Sequence, residues 1–529
     1  MGSSLLPYEC FNDVLSFLDH KSLYKCLFVN RYYCKFSIPL IWKDPFITTI
    51  PNKISLINTL MSCLNEDEIS SLIPYEINFN NQSPLFEYGK FVGKIDHDYC
   101  VNHIIAWLRS SSSERISVPD YIDKNRDKVR KLTSIIYHMI MRKGSNLREF
   151  ILFMNSRNNY IDLPKFSIFT TYKPGISNLS SLNIEVNFDF VVDEMRYLNT
   201  IEFLNMVSKF CNGIVNCEFW ISDLNSTLTK PFLDIIKSQP LKRIFIDTYI
   251  NNSMEKENVK NVLNTLEFRS KTLKELLFKS LDFQFIDLSF ISKLECLEQL
   301  EFVHCRGFTL QYYETLFKKK FHLKDLKLWY DEDYHFNHFE IKLNIMVAMI
   351  HSFCGDALLK LSLDIITPET VKVIKESCPN IRFLHIKIFS DQSLDSTIPS
   401  ICDLSSLKIL KIESEIDCGN LVKILGDCLT FVEYLVLDFL IDVLSFKYFT
   451  NKCKANLKKW IIYINSHPSF WEIRKDYLTY VNNYQKIHNS LKIFGINVVY
   501  CTKEEMEIVD SLKSQGINIV LSNELDIEY

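Results

Sequence analysis

The 529 residues carry 64 acidic and 60 basic side chains, a net charge of −4, and are 47% hydrophobic against 23% charged. This balance excludes a disordered chain and a global basic field that would recruit nucleic acid. The length exceeds one ordinary core, so several domains or an elongated repeat is expected.

In chain order, Leu6-Pro7 opens a first helix, with Pro7 where a missing N–H costs nothing. Cys10, Phe11, Val14, Leu15, Phe17 and Leu18 recur at three-to-four-residue spacing and predict one apolar stripe. Ser22 can cap a second helix carrying Leu23, Cys26 and Leu27, and Asn30 a third, Arg31 to Phe36, which should end before Pro39. Leu40-Ile41-Trp42 then forms a bulky apolar anchor. So short a module buries too little to be robust alone and is expected to lean on a partner.

Between residues 49 and 145 the periodicity predicts helices over Leu56–Leu64, His103–Arg109 and Val129–Arg142, the last ending at Gly144. Ser110 to Ser113 reads as a turn, and the whole stretch as a helical linker. His97-x-x-Cys100-x-x-His103 has metal-like spacing, but a fourth ligand is missing and no metal is assigned. No nucleophile elbow, zinc-protease, Walker or dinucleotide fingerprint occurs, so neither an enzyme nor a cofactor is expected.

From 146 to 529 one frame repeats, apolar-x-x-apolar-x-apolar. Units start at 273, 297, 323, 358, 381, 407, 432 and 457, mostly in steps of about 23–26 residues. Weaker units begin at Leu147, Leu179, Ile214 and Leu241. Helical segments such as Pro368 to Ser377 and Asn420 to Leu425 lie between them. Strand and helix alternating in one direction build a parallel sheet whose repeats share one core. Ile496–Tyr500, Lys503–Ser514 and Ile517–Leu521 read as a closing strand, helix and strand. Cys354, Cys378, Cys428 and Cys453 each precede a repeat, and Cys305 follows one, as small buried residues at tight turns. The sixteen cysteines read as reduced thiols. No leader pattern and no apolar run of membrane length is present, so a cytoplasmic or nuclear location is expected.

Leu6-Pro7-x-Glu9, with Leu18, Leu23, Cys26, Val29-Asn30-Arg31, Tyr33 and Ile41-Trp42, resembles the F-box. The repeats resemble the cysteine-containing class of leucine-rich repeat often fused to it. The resemblance implies an α/β chain: a three-helix F-box over 1–48, the linker, then a curved leucine-rich-repeat solenoid with a parallel concave sheet and a C-terminal cap. It further implies a substrate receptor of SCF, the cullin–RING ubiquitin ligase, with the F-box docking the Skp adaptor and the repeats holding a target protein. Leu6, Pro7, Leu18, Leu23, Val29 and Trp42 would carry the adaptor. A scaffold, inhibitor or sensor acting without ubiquitination is the alternative, and neither nucleic acid nor membrane is expected as a partner. Residues flanking the middle apolar position of each repeat alternate toward the open face. That places Trp220, Arg243, Lys327, Trp329, His385, Lys411, Tyr434 and Tyr463 as candidate target contacts, with Trp220, Trp329, Tyr434 and Tyr463 as exposed aromatic anchors. The acidic-aromatic insert Tyr330 to Phe336 would overhang that face.

Overall fold

The computed structural model describes residues 8–46, 53–77, 83–110, 116–155, 160–187, 197–221, 226–248, 256–284, 286–309, 321–330, 339–388, 393–414, 419–463, 471–496 and 501–521. The chain divides into two compact units, Met1–Leu273 and Lys274–Tyr529.

The first unit opens with α1 (Tyr8–Ser16), α2 (His20–Cys26) and α3 (Arg31–Ile41). Asn30 caps α3 as expected, its Oδ1 accepting from the Tyr33 N–H at 2.9 Å. The cap of α2 is Asp19 rather than Ser22; its Oδ1 accepts from the Ser22 N–H at 2.8 Å. Nor does α3 stop before Pro39. Proline removes one ladder hydrogen bond, but Phe36, Ile38 and Ile41 are all buried on this last stretch, and the Trp42 N–H still closes on the Ile38 carbonyl at 2.9 Å. Burial outweighs the lost bond. Phe11, Leu15, Leu23, Phe36 and Ile41 form the small core of the three helices, with the Phe11 ring 5.0–5.2 Å from Tyr32, Tyr33 and Phe36.

Among the described residues five strands follow, β1 (Lys94–Asp96), β2 (Glu149–Asn155), β3 (Ser181–Asn187), β4 (Asn216–Ile221) and β5 (Arg243–Asp247). Each pairs in parallel with its neighbour in sequence, so Ile95, Phe150, Leu182, Cys217 and Ile244 stand in one row. β1 lies inside the stretch read as linker. Its crossover to β2 consists of the helices His97–Ser110 and Val118–Arg142, so these helices serve the repeat stack. The second begins earlier than its strongest periodicity, at a Ser117 cap followed by Pro119, and kinks at Asn125. It ends as expected at Gly144, whose φ of 72° is left-handed backbone that glycine adopts without strain.

The second unit holds β6 (Glu275–Lys279), β7 (Gln299–Val303), β8 (Asp325–Trp329), β9 (Lys360–Leu363), β10 (Phe383–Ile388), β11 (Ile409–Ser414), β12 (Tyr434–Leu440), β13 (Lys459–Tyr463), β14 (Ile493–Ile496) and β15 (Asn518–Leu521). They too pair in parallel in chain order. Leu276, Leu300, Leu326, Leu361, Leu384, Leu410, Leu435, Trp460 and Phe494 form one inward row, all fully buried. No single strand could bury that row alone; the stack shares it, as a repeat solenoid does. The strand expected from Ile496 starts earlier, at Ile493, because Phe494 and Ile496 continue the rows of Trp460 and Ile462; residues 497–500 lie outside the described residues. The helix Lys503–Ser514 falls where expected, fixed by a Thr502–Glu505 capping box.

Candidate functional surfaces

The apolar stripe of α1 is two faces. Phe11 and Leu15, four residues apart, turn into the small core, whereas Val14, Phe17 and Leu18 are exposed. Tyr24, Phe28 and Val29 continue this exposure along α2 and the turn after it, with Phe17 87% and Phe28 76% accessible. The Tyr24 and Phe28 rings stand 5.6 Å apart. Of the residues read as adaptor contacts, Leu18 and Val29 lie here. Leu23 does not; it is a core residue that holds α2 against α1 and α3. Trp42 is half-buried, its ring 4.5 Å from Tyr88. Leu6 and Pro7 lie outside the described residues. Phe17, Tyr24 and Phe28 are not among the residues read as contacts, although one signal for Phe17 is present: on a helix it falls well away from the face used by Phe11 and Leu15.

The outward face of the first unit carries Trp220, half-buried with its ring 5.0 Å from Phe245, and Arg243, whose Nη2 lies 3.9 Å from Glu218 Oε1.

On the outward face of the second unit the residues read as contacts are largely engaged with one another. Trp329 is 8% exposed and is not the exposed anchor expected. Its ring is 4.7 Å from that of His385, and Lys327 Nζ lies 5.0 Å from its centroid. The residue between Lys327 and His385 in the register is the small Ser362, which leaves room for the indole to lean across β9. His385 Nε2 in turn meets Glu413 Oε1 at 2.9 Å, and Lys411 Nζ is 2.5 Å from the same oxygen and 4.0 Å from Asp438. Burial would raise the Glu413 carboxyl, but the His385 and Lys411 contacts outweigh it and hold it down to about 2. Asp364, buried in the same face, is pushed by burial up to about 7, although its carboxylate accepts from the Tyr330 N–H. Tyr463 packs on buried Val436 and Ile461 together with Val520. Val520 reaches Ile461 across β14 because the intervening register position is Gly495. Tyr434 is half-buried beside Ile409 and Lys459. The insert after Tyr330 lies outside the described residues through residue 338.

The metal-like cluster is structural. His97 Nδ1 meets Tyr137 Oη at 2.9 Å and its Nε2 meets the Ile161 carbonyl at 2.7 Å. Burial pushes this imidazole down to about 4 and the Cys100 thiol upward. His103 Nδ1 meets the Tyr99 carbonyl at 2.6 Å. Among the described residues no three potential ligands are grouped to hold a metal, and no helix is long and apolar enough to cross a membrane.

No family model matches the chain, and no curated protein matches it. One solved structure it resembles is a protein from Bacteroides fragilis, 14% identical over 60% of this chain and 76% of the other, with a TM-score of 0.28. So slight a likeness assigns neither family nor function.

Proposed function

We propose that the chain is the substrate-recognition subunit of an SCF-type cullin–RING ubiquitin ligase. In this reading α1–α3 dock the Skp adaptor and the parallel-stranded units hold a protein target. The observation that carries the reading is the exposed apolar face of the N-terminal module. Val14, Phe17, Leu18, Tyr24, Phe28 and Val29 all project from a unit whose core cluster, among the described residues, is the five side chains of Phe11, Leu15, Leu23, Phe36 and Ile41. Large apolar groups clustered on the surface mark an interaction site, and a module this small gains its missing core from the partner that covers them. The F-box motif positions in the same segment supply the partner's identity. No catalytic residue is needed here. Gripping target and ligase together raises the effective concentration of a target lysine near the ubiquitin-charged enzyme.

The test is to mix the full chain with purified Skp adaptor and follow co-elution. Affinity capture with and without residues 1–48, read by mass spectrometry, then identifies what the repeats hold. Separate elution of chain and adaptor at micromolar concentrations removes the ligase reading and leaves a scaffold or sensor.

A further inference from the structure

We propose that a cavity in the first unit is a binding site for a phosphoryl group carried on a larger ligand. The cavity measures about 420 Å³. The helix Val118–Arg142 supplies Arg130, Lys131 and Ser134, the segment after Asp162 supplies Lys165, and Tyr75 closes one side. Arg130 and Ser134, one helical turn apart, share a face with Lys131 beside them.

The donors here lack acceptors. Arg130 Nε is screened from solvent and has no hydrogen-bond partner, a state that costs free energy unless something else supplies the acceptor. Among the described residues Arg130, Lys131 and Lys165 form no ion pair; Lys131 only lies 5.9 Å from the Tyr75 ring centroid. The same helix does pair its other arginines, Arg126 with Asp123 and Arg142 with Glu68. The cavity therefore differs from the rest of its own helix.

Two carboxylates line it, Asp127 and Asp162, but the second is committed elsewhere. Asp162 Oδ1 accepts from the Leu163 N–H, the Thr200 N–H and the Thr200 hydroxyl at 2.7–3.0 Å, and Oδ2 from the Asn199 N–H at 2.9 Å. It holds the start of the helix Leu198–Phe210 and does not answer the cations. Three cations then face one uncommitted carboxylate. A phosphomonoester, with about two negative charges and three acceptor oxygens, matches that excess, and a guanidinium fork matches its geometry. The volume is several times that of one phosphate group, so the phosphoryl would arrive on a body. The site shares no residue with the exposed face of α1–α3 and does not rest on the adaptor reading.

Isothermal titration of the full chain tests this with three probes: pyrophosphate, a phosphoserine peptide and the same peptide unphosphorylated. The phosphopeptide should bind and the unphosphorylated peptide should not. Arg130→Gln and Lys165→Gln should each weaken binding roughly tenfold, and Asp127→Asn should strengthen it. Binding of the phosphopeptide supports the proposal and assigns a modified protein; binding of pyrophosphate with no binding of the phosphopeptide assigns a small free anion and overturns the larger ligand. If Arg130→Gln fails to fold by near-ultraviolet circular dichroism, the exposed Lys165 and Asp127 variants decide. No binding of either phosphorylated probe at millimolar concentration, or binding unchanged in the Lys165 and Asp127 variants, overturns the proposal.

Discussion

Replacing Phe17 and Phe28 together with serine separates binding from folding at the N-terminal module. Both side chains are mostly in solvent, 87% and 76% accessible, so their removal should change stability by no more than about 0.5 kcal/mol each. Covering a phenylalanine completely is worth about 1.5–3 kcal/mol. Scaled by the two exposures, an adaptor that covers both would forfeit roughly 2.5–5 kcal/mol in the double variant. The lower figure already weakens Kd by roughly sixtyfold. Phe11→Ala is the contrasting change. Its ring is buried among three aromatic neighbours, so truncation should cost about 3–5 kcal/mol of folding and lose the adaptor by unfolding α1–α3. Titration calorimetry with the Skp adaptor, beside thermal melts of the same samples, gives both numbers. Adaptor affinity unchanged in the double variant would show that this face is not the docking surface. A lowered melt in that variant would show instead that the face is used within the chain.

Three further outcomes follow from the buried groups. Glu68 is buried and bonded to Arg142 at 2.7–2.9 Å and to His138 at 2.7 Å; burial raises its carboxyl, but Arg142, the Asn65 N–H and His138 outweigh that and lower it below 4.5. A lowered folded-state pKa gives stability that is present above the unfolded value and lost as pH falls through the folded one. Glu68→Gln should therefore cost about 2 kcal/mol at neutral pH, discounted because the partners are partly exposed, and should flatten the loss of melting temperature on acidification below 4.5; equal acid slopes would contradict the network. Trp329→Ala should lower the second unit's stability by about 2 kcal/mol or more, visible as an earlier urea midpoint, since the indole is buried between Lys327 and His385; an unchanged midpoint would return it to the exposed class. Native alkylation should reach Cys10 and Cys296, which are exposed, well before Cys211 and Cys453, whose thiols burial pushes up to about 12; peptide mapping that finds the buried pair labelled first would refute the packing.

The repeat strands could be read because their inward residues recur in register and are apolar from one repeat to the next. β1 could not, since Lys94-Ile95-Asp96 offers a single inward residue, and its crossover runs through two helices. β14 was hidden by Gly495, although Leu491-x-x-Phe494-x-Ile496 keeps the frame. The Pro39 boundary failed because propensity is local and the core around Phe36 and Ile41 is not. Alternation did assign Trp329 to the outward face, but spacing cannot show that Ser362 is small enough for the indole to lean over it. The cavity is assembled from residues near 75, 130, 165 and 199, which no local pattern connects.

The self-pairing of the second unit's outward face changes what its charges can contribute on the proposed reading. Lys411 and His385 both bind Glu413, and Lys327 lies on the Trp329 ring. A target charge that engages Lys411 must first displace Glu413. The pair gained then replaces a pair lost, and the net gain is small. Removing one member alone leaves its partner uncompensated in half-buried surroundings. Such charges discriminate between targets more than they bind them. Affinity then falls to apolar area still open to a partner, and on this face Tyr434 retains more of it than Trp329. A target held this way would tolerate salt better than one drawn in by free lysines, because the interactions that salt screens are already made within the chain.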